Sequence, residues 1–216
     1  MTRPKPRFIA VEGPIGVGKT SLTRRLADSF NYDTLLEKAE ENPFLDRFYQ
    51  NPQQYALSTQ LFFLFQRTQQ IQELRQNDMF EPVRVADFLM DKDKLFAELN
   101  LDQDELEIYL NVYKHLTINT PKPDLVVYLQ APTDVLLARI QKRGIASEQL
   151  IERQYLENLN KAYTEFFHYY KSSTLLIVNS TDIDLVGNDE HYQQLLDYML
   201  SIPSGTHYYN PAPSLL

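Results

Sequence analysis

Short runs of consecutive apolar residues recur along the chain, separated by longer stretches in which apolar residues fall every three or four positions. The runs at 8–11, 34–37, 83–87, 125–129 and 175–178 are rich in aliphatic and β-branched side chains and too short for helices. They predict strands buried on both faces. Leu22, Leu26 and Phe30 mark one helix face, and the stretch 55–74, rich in Leu, Phe and Gln, predicts a second helix. Leu106, Leu110, Tyr113 and Leu116 mark a third; Tyr155, Leu159, Tyr163, Phe166 and Tyr170 mark a long amphipathic one. Strand alternating with helix predicts an α/β fold of three layers, a parallel sheet covered on both sides. Pro203, Gly205, Pro211 and Pro213 interrupt any pattern after Ile202. Residues 202–216 are therefore expected to form an irregular tail, 1–7 an N-terminal arm, and 8–201 a single domain.

The first run feeds directly into Gly13-Pro-Ile-Gly16-Val-Gly18-Lys19-Thr20-Ser21, which contains the spacing Gly-x-x-x-x-Gly-Lys-Thr of a phosphate-binding loop. Glycines at 13, 16 and 18 let successive backbone N–H groups turn toward phosphate oxygens, and a helix starting near Lys19 aims its positive end at the same anion. Lys19 reaches the outer phosphates and Thr20 supplies a hydroxyl oxygen to magnesium, so the expected ligand is a nucleoside triphosphate with Mg2+. A chance glycine-rich turn would lack the strand before it and the helix after it.

Composition narrows the class. No apolar run approaches the roughly 20 residues that cross a bilayer, so no membrane role is expected. The basic start, Met1 to Arg7, is not followed by a secretory apolar segment, and the chain has no cysteine, which together point to the cytoplasm and to oxygen ligands for any metal. A formal charge of −8 argues against a nucleic-acid partner, whose backbone is met by a basic face.

Ligands of open parallel sheets bind beyond the carboxyl ends of the strands. Two further runs end there in acids, Glu37 and Asp87. Asp87 fits the magnesium-side acid that follows an apolar strand; the alternative is a helix-capping Asp ahead of Met90 and Leu95. Glu37 fits the acid that accepts the proton of a substrate hydroxyl, although Glu40 and Glu41 lie close by in the same acidic turn. Arg139 and Arg143 stand four apart on one helix face that stops at Gly144, as in a hinged lid over about 139–153 whose guanidiniums close on a triphosphate. Gln60 and Arg67 are two helical turns apart within an apolar stretch. An amide there suits a nucleobase edge, with Phe62, Phe63 or Phe65 to stack on it; spacing alone equally places Gln60 at the solvent edge of the stripe. His115, His168, His191 and His207 show no ligand spacing.

In this order these residues resemble the deoxyribonucleoside kinase family, and most closely its bacterial deoxyadenosine/deoxyguanosine kinase branch. The phosphate loop is shared with other nucleotide kinases. Tyr49-x-x-Pro52 followed by Gln60 and Arg67 is more particular, as is Arg139-Ile-x-x-Arg143-Gly144 followed by Glu148 and Tyr155-Leu-Glu157. The resemblance runs from Phe8 to about Asp184. It implies magnesium-dependent transfer of the γ-phosphoryl group of ATP to the 5′-hydroxyl of a deoxynucleoside, purines preferred, on a five-stranded parallel sheet in a homodimer packed through helices. It assigns Glu37 to the 5′-hydroxyl, Gln60 to the base edge, Arg67 to the base pocket, and Tyr49 and Glu148 to the sugar 3′-hydroxyl. Arg139 and Arg143 become the lid cations, and Asp182 and Asp184 fall in the loop near the adenine of ATP. Many relatives carry acid-Arg-Ser at the end of the third strand, where this chain has Ala86-Asp87-Phe88; Arg84 or Lys92 is the available replacement for that cation. Ile145 likewise stands where many members have a further lid arginine.

Two rivals share the loop. A nucleoside monophosphate kinase needs added basic residues for the acceptor phosphate, and between Tyr49 and Gln60 none occurs, with only Arg47 beside them. A nucleotide-binding switch specific for guanine would carry Asn-Lys-x-Asp, which is absent.

Overall fold

The computed structural model describes residues 5–77, 83–117 and 120–211. Residues 1–4 of the expected arm and 212–216 of the expected tail, with Pro213, lie outside the described residues. Strands β1 (Phe8–Glu12), β2 (Asp33–Leu35), β3 (Arg84–Ala86), β4 (Leu125–Gln130), β5 (Thr174–Asn179) and β6 (Thr206–Tyr209) form one parallel sheet in the order β2-β3-β1-β4-β5-β6. Helices α1 (Lys19–Phe30), α2 (Leu45–Gln50), α3 (Pro52–Asn77), α4 (Lys92–Asn100), α5 (Gln103–Leu116), α6 (Thr133–Arg143), α7 (Arg153–Tyr169) and α8 (Asp189–Ser201) connect them.

β1 lies in the middle, with Ile9, Ala10 and Val11 fully buried, because its neighbours β3 and β4 are reached by crossovers on opposite sides. That reversal of direction opens a crevice beyond the carboxyl ends of β1, β3 and β4. One apolar core joins β1, β4 and β5 to α1, α6, α7 and α8; a second joins β3 to α3, α4 and α5. In the first, Tyr128, Tyr163 and Phe167 stack in near-parallel planes, with Tyr128 and Phe167 centroids 4.2 Å apart.

The α/β class and its parallel sheet agree with the apolar pattern, but the expected count of five strands and the irregular tail from 202 do not. Pro203 and Gly205 (φ +115) end α8 and reverse the chain, and Thr206-His-Tyr-Tyr209 then lies against the free edge of β5. Leu175 N–H donates to the Gly205 carbonyl, Tyr198 Oη donates to the Tyr208 carbonyl, and the Tyr198 and Tyr209 rings meet at 5.3 Å. The sixth strand has no apolar run to announce it. Its backbone satisfies an edge that would otherwise be open, which is a tertiary reason.

Candidate active site

The loop between β1 and α1 passes directly under the end of β4. Gly13 sits at φ +149, and a Cβ there would lie 2.4 Å from the Leu129 carbonyl oxygen and 2.9 Å from Val17 Cγ1, so only glycine fits. Gly18 precedes the first turn of α1, whose amides have no intrahelical partner and whose dipole is positive at that point. Gly16, Gly18, Lys19, Thr20 and Ser21 all line one cleft enclosing about 1070 Å³ of space, its open mouth included. Lys19 Nζ donates to the carbonyls of Gly13 (2.7 Å) and Pro14 (3.2 Å). Burial, with Lys92 adding to it, pulls that ammonium down to about 8. An anion in the loop offers this lysine better partners than two carbonyls.

Thr20 Oγ1 donates to Asp87 Oδ2 at 2.6 Å, so a helix-start hydroxyl and a strand-end carboxylate meet across 67 positions of sequence. Asp87 does not cap α4, whose N-cap position is Asp91. Asp87 Oδ1 instead accepts from the Glu37 backbone N–H at 2.6 Å, which peels the chain off β2 after Leu35 and turns Glu37 into the cleft. The two oxygen donors, Thr20 and Asp87, fit a magnesium ion that keeps most of its coordination for water and phosphate oxygens.

Glu37 Oε1 pairs with Arg67 Nη2 and lies 3.9 Å from Lys92 Nζ. Arg67 is held from its other side by Asp93 Oδ1, with the rings of Phe63 and Phe88 at 5.0 and 5.6 Å. Gln60, one of the two readings of which placed it at a solvent edge, is 5% exposed and faces the cleft. Of the three phenylalanines near it, Phe63 lines the cleft and Phe65 is exposed on the outer face of α3. Tyr49, Glu148 and Tyr155 close the far wall. Burial, then Tyr155 and Glu148, drives the Tyr49 hydroxyl well above its ordinary value, so it stays a neutral hydrogen-bonding group. Glu148 pairs with Arg143 as the chain leaves α6 through Gly144 (φ +72) into a 3₁₀ turn at Ser147–Leu150.

The two arginines expected to act together face different partners. Arg143 reaches the cleft, whereas Arg139 donates to the carbonyls of Ser180 (2.7 Å) and Val17 (3.4 Å) behind the phosphate loop. Asp184 accepts from the N–H groups of Val186 and Gly187, which lowers its carboxyl below the ordinary range and closes a turn after β5. Asp182 is exposed in the same loop, and neither aspartate lines the cleft.

Sequence reasoning missed two participants, Glu12 and Asp93, and left a third, Lys92, as one of two choices. Glu12, fully buried at the end of β1, accepts from Gly13 N–H, Leu89 N–H and Tyr163 Oη, and pairs with Lys92 at 3.1 Å. Of the two candidates for the strand-end cation, Lys92 lies 3.9 Å from Glu37 Oε1, whereas Arg84 pairs in register with Phe8 and Asp33 at the opposite end of the sheet. Asp93 stands among the alternating charges Asp91-Lys-Asp-Lys94, a pattern that by itself gives no sign of burial. The one signal was the apolar Leu95, Phe96 and Ala97 immediately after, a sign that one side of α4 faces the interior.

Burial raises the Asp93 carboxyl to about 6, against the opposing pull of Arg67 and Lys92. An unfolded aspartate titrates near 3.9, so the native state binds this proton more tightly, and the stability it contributes is complete at low pH and lost as pH rises through about 6. Between about pH 5 and pH 7.5 the wild type should therefore lose about 1 kcal/mol of urea-unfolding free energy relative to Asp93→Asn. A difference that does not change with pH would contradict this.

A sequence model described as deoxynucleoside kinase matches residues 9–202. The deoxyguanosine kinase of Bacillus subtilis is 36% identical over 196 residues, 87% of this chain and 93% of that protein. The deoxyadenosine kinase of Lactobacillus acidophilus is 30% identical over 204 residues, 88% of this chain and 93% of that protein. Among solved structures, deoxyadenosine kinase from M. mycoides, with the products dCMP and a flexible dCDP bound, superposes with a TM-score of 0.77 at 26% identity. The match covers 90% of this chain and 100% of that one.

Proposed function

The chain belongs to the deoxynucleoside kinase family, whose members are ATP-dependent phosphotransferases, and on that premise we propose that it phosphorylates the 5′-hydroxyl of a purine deoxynucleoside, deoxyguanosine or deoxyadenosine. The observation that carries the neutral acceptor is the pairing of cations in the cleft. Arg67 is shared by Glu37 and Asp93, Lys92 by Glu12 and Glu37, and Arg143 is taken by Glu148. An acceptor already bearing a phosphate would need a cation to spare, and of the four cations lining the cleft, Lys19, Arg67, Lys92 and Arg143, only Lys19, on the donor side, has no carboxylate partner within ion-pair distance among the described residues.

In this reading the loop amides and Lys19 grip the triphosphate, and Thr20 with Asp87 would hold Mg2+, which neutralises charge on the phosphate oxygens. Glu37 takes the proton of the 5′-hydroxyl, or orients that hydroxyl in line. Gln60 presents its amide to the base edge, Arg67 flanks the base, and Tyr49 with Glu148 holds the sugar. Arg143 swings from Glu148 toward the moving phosphoryl group. Arg139, anchored on Ser180, sits on the adenine side with the loop of Asp182 and Asp184. The relatives named deoxyguanosine and deoxyadenosine kinase support the purine preference.

A homodimer goes with this reading. Leu57, Leu61 and Phe65 recur every fourth residue on α3, and Phe65 and Ile108 of the adjacent α5 are 52% and 53% exposed. A second copy would cover such a paired-helix stripe. Light scattering at twice the chain mass supports it, and a monomer at micromolar concentration discards it.

The test is a panel of deoxynucleosides, their monophosphates and ribonucleosides with labelled ATP and magnesium. Deoxyguanosine or deoxyadenosine should give the most product. Product only from monophosphates would overturn the acceptor, and product only from pyrimidines would overturn the preference.

A further inference from the structure

Two fully buried groups of opposite charge, Glu12 at the end of β1 and Lys92 at the start of α4, stand between the phosphate loop and the acceptor-side acid. We propose that they act as a positioning pair, Lys92 steadying the Glu37 carboxylate for its task and Glu12 fixing Lys92 while binding the first amide of the phosphate loop. The connection is continuous. Lys19 Nζ donates to the Gly13 carbonyl at 2.7 Å, and Gly13 N–H donates to Glu12 Oε2 at 3.0 Å. Glu12 Oε1 lies 3.1 Å from Lys92 Nζ, which lies 3.9 Å from Glu37 Oε1. Glu12 is held on its remaining positions by Leu89 N–H (2.7 Å) and Tyr163 Oη (3.0 Å), the latter locked in the aromatic stack of the core. A carboxylate with four donors in a dry interior cannot reorient, so it fixes the ammonium it faces.

Glu37 has two cations within reach, and they differ. Arg67 is also claimed by Asp93 and lies among base-pocket residues, where an incoming nucleobase competes for its N–H groups. Lys92 sits deeper, over the Phe96 ring at 5.6 Å, with its charge balanced by Glu12 rather than by anything a substrate would displace. Burial lowers its ordinary value and Glu12 opposes that, so the pairing is what keeps the ammonium charged. When Arg67 turns to the base, Lys92 is the cation left to orient Glu37. The surplus of Lys92 over Glu12 at 3.9 Å is a weak ion pair in the empty site, which leaves Glu37 free to move toward a hydroxyl.

The inference rests on Glu37 as the acceptor-side acid. Lys92→Met should lower kcat by about 100-fold with KM for nucleoside and ATP within about threefold of wild type, because positioning of a reacting group is lost and binding is not. Lys92→Arg should recover at least about tenfold of that loss. Glu12→Gln/Lys92→Met leaves no buried charge alone, so its thermal midpoint should return toward that of the wild type while kcat stays low. A double variant with restored kcat, a Lys92→Met enzyme with unchanged kcat, a loss confined to KM, or failure of both variants to fold would each reduce the pair to scaffold and overturn the proposal. A wild type without nucleoside-dependent turnover would instead sink the functional reading beneath it.

Discussion

Glu37→Gln should lower kcat by about 10²–10⁴-fold, equivalent to about 3–5 kcal/mol of transition-state stabilisation, while ATP binds within about threefold of wild type. The amide is the same shape as the carboxylate and its carbonyl can still accept from Arg67, so the cleft is not rebuilt. Its backbone N–H also continues to donate to Asp87 Oδ1, the bond that sets the positions of residues 37 and 87 together. The capacity to take a proton from a hydroxyl is what disappears. None of the loop contacts of Lys19 or Thr20 involves the Glu37 side chain, which separates donor binding from acceptor activation. Steady-state turnover and calorimetric ATP titration on one preparation decide it. Wild-type kcat in the variant would remove Glu37 from the reaction, and equal loss of ATP binding would mean that it holds the fold of the cleft instead.

Gly13→Ala should destabilise the chain by about 3 kcal/mol and abolish measurable ATP affinity. The methyl group would meet the Leu129 carbonyl oxygen at 2.4 Å and Val17 Cγ1 at 2.9 Å, at a φ of +149 that L residues rarely adopt. The first neighbour is the backbone of β4 in the middle of the sheet and cannot rotate away. Displacing residue 13 also moves both of its peptide contacts, the carbonyl that holds Lys19 and the N–H that binds Glu12. Gly18→Ala is the control, since at φ +103 it carries the backbone penalty with no heavy atom within 4 Å of the new methyl, so it should cost about 1–2 kcal/mol. Urea midpoints for the two variants measure the difference. A Gly13→Ala chain as stable as Gly18→Ala would show that the loop does not pass against β4 as described.

The phosphate loop was legible because its chemistry is local: glycines, lysine and threonine lie within eight consecutive residues, and a strand and helix on either side can be read from periodicity alone. Asp87 and Glu37 were legible for a related reason. A parallel sheet sends the ends of its strands to one edge, so an acid closing an apolar run can be placed without knowing its partners. Asp93 and Glu12 were not. Burial of a charge is decided by what packs around it, and nothing in Asp91-Lys-Asp-Lys94 distinguishes a solvated helix start from one sunk against α3 and α7. Lys92 could be named as a substitute cation but not chosen over Arg84, because only strand register shows that Arg84 sits at the far end of β3. The arginine pair shows what spacing on a helix leaves open. Two residues four apart on a helix share a face, yet Arg139 is captured by the Ser180 carbonyl while Arg143 turns past Gly144 to Glu148.

What the sequence determined by itself is therefore the set of things carried by short-range order: the α/β alternation, the anion-binding loop, and the strand ends at which acids must stand. The tertiary structure alone decided the sixth strand, which exists because β5 had an open edge, and the pairing of Arg67, Lys92 and Arg143 in the cleft with carboxylates. Both depend on groups brought together from distant parts of the chain, where the free energy of a charge or an unpaired backbone is set by its neighbours in space and by the exclusion of water, neither of which has a signature along the chain.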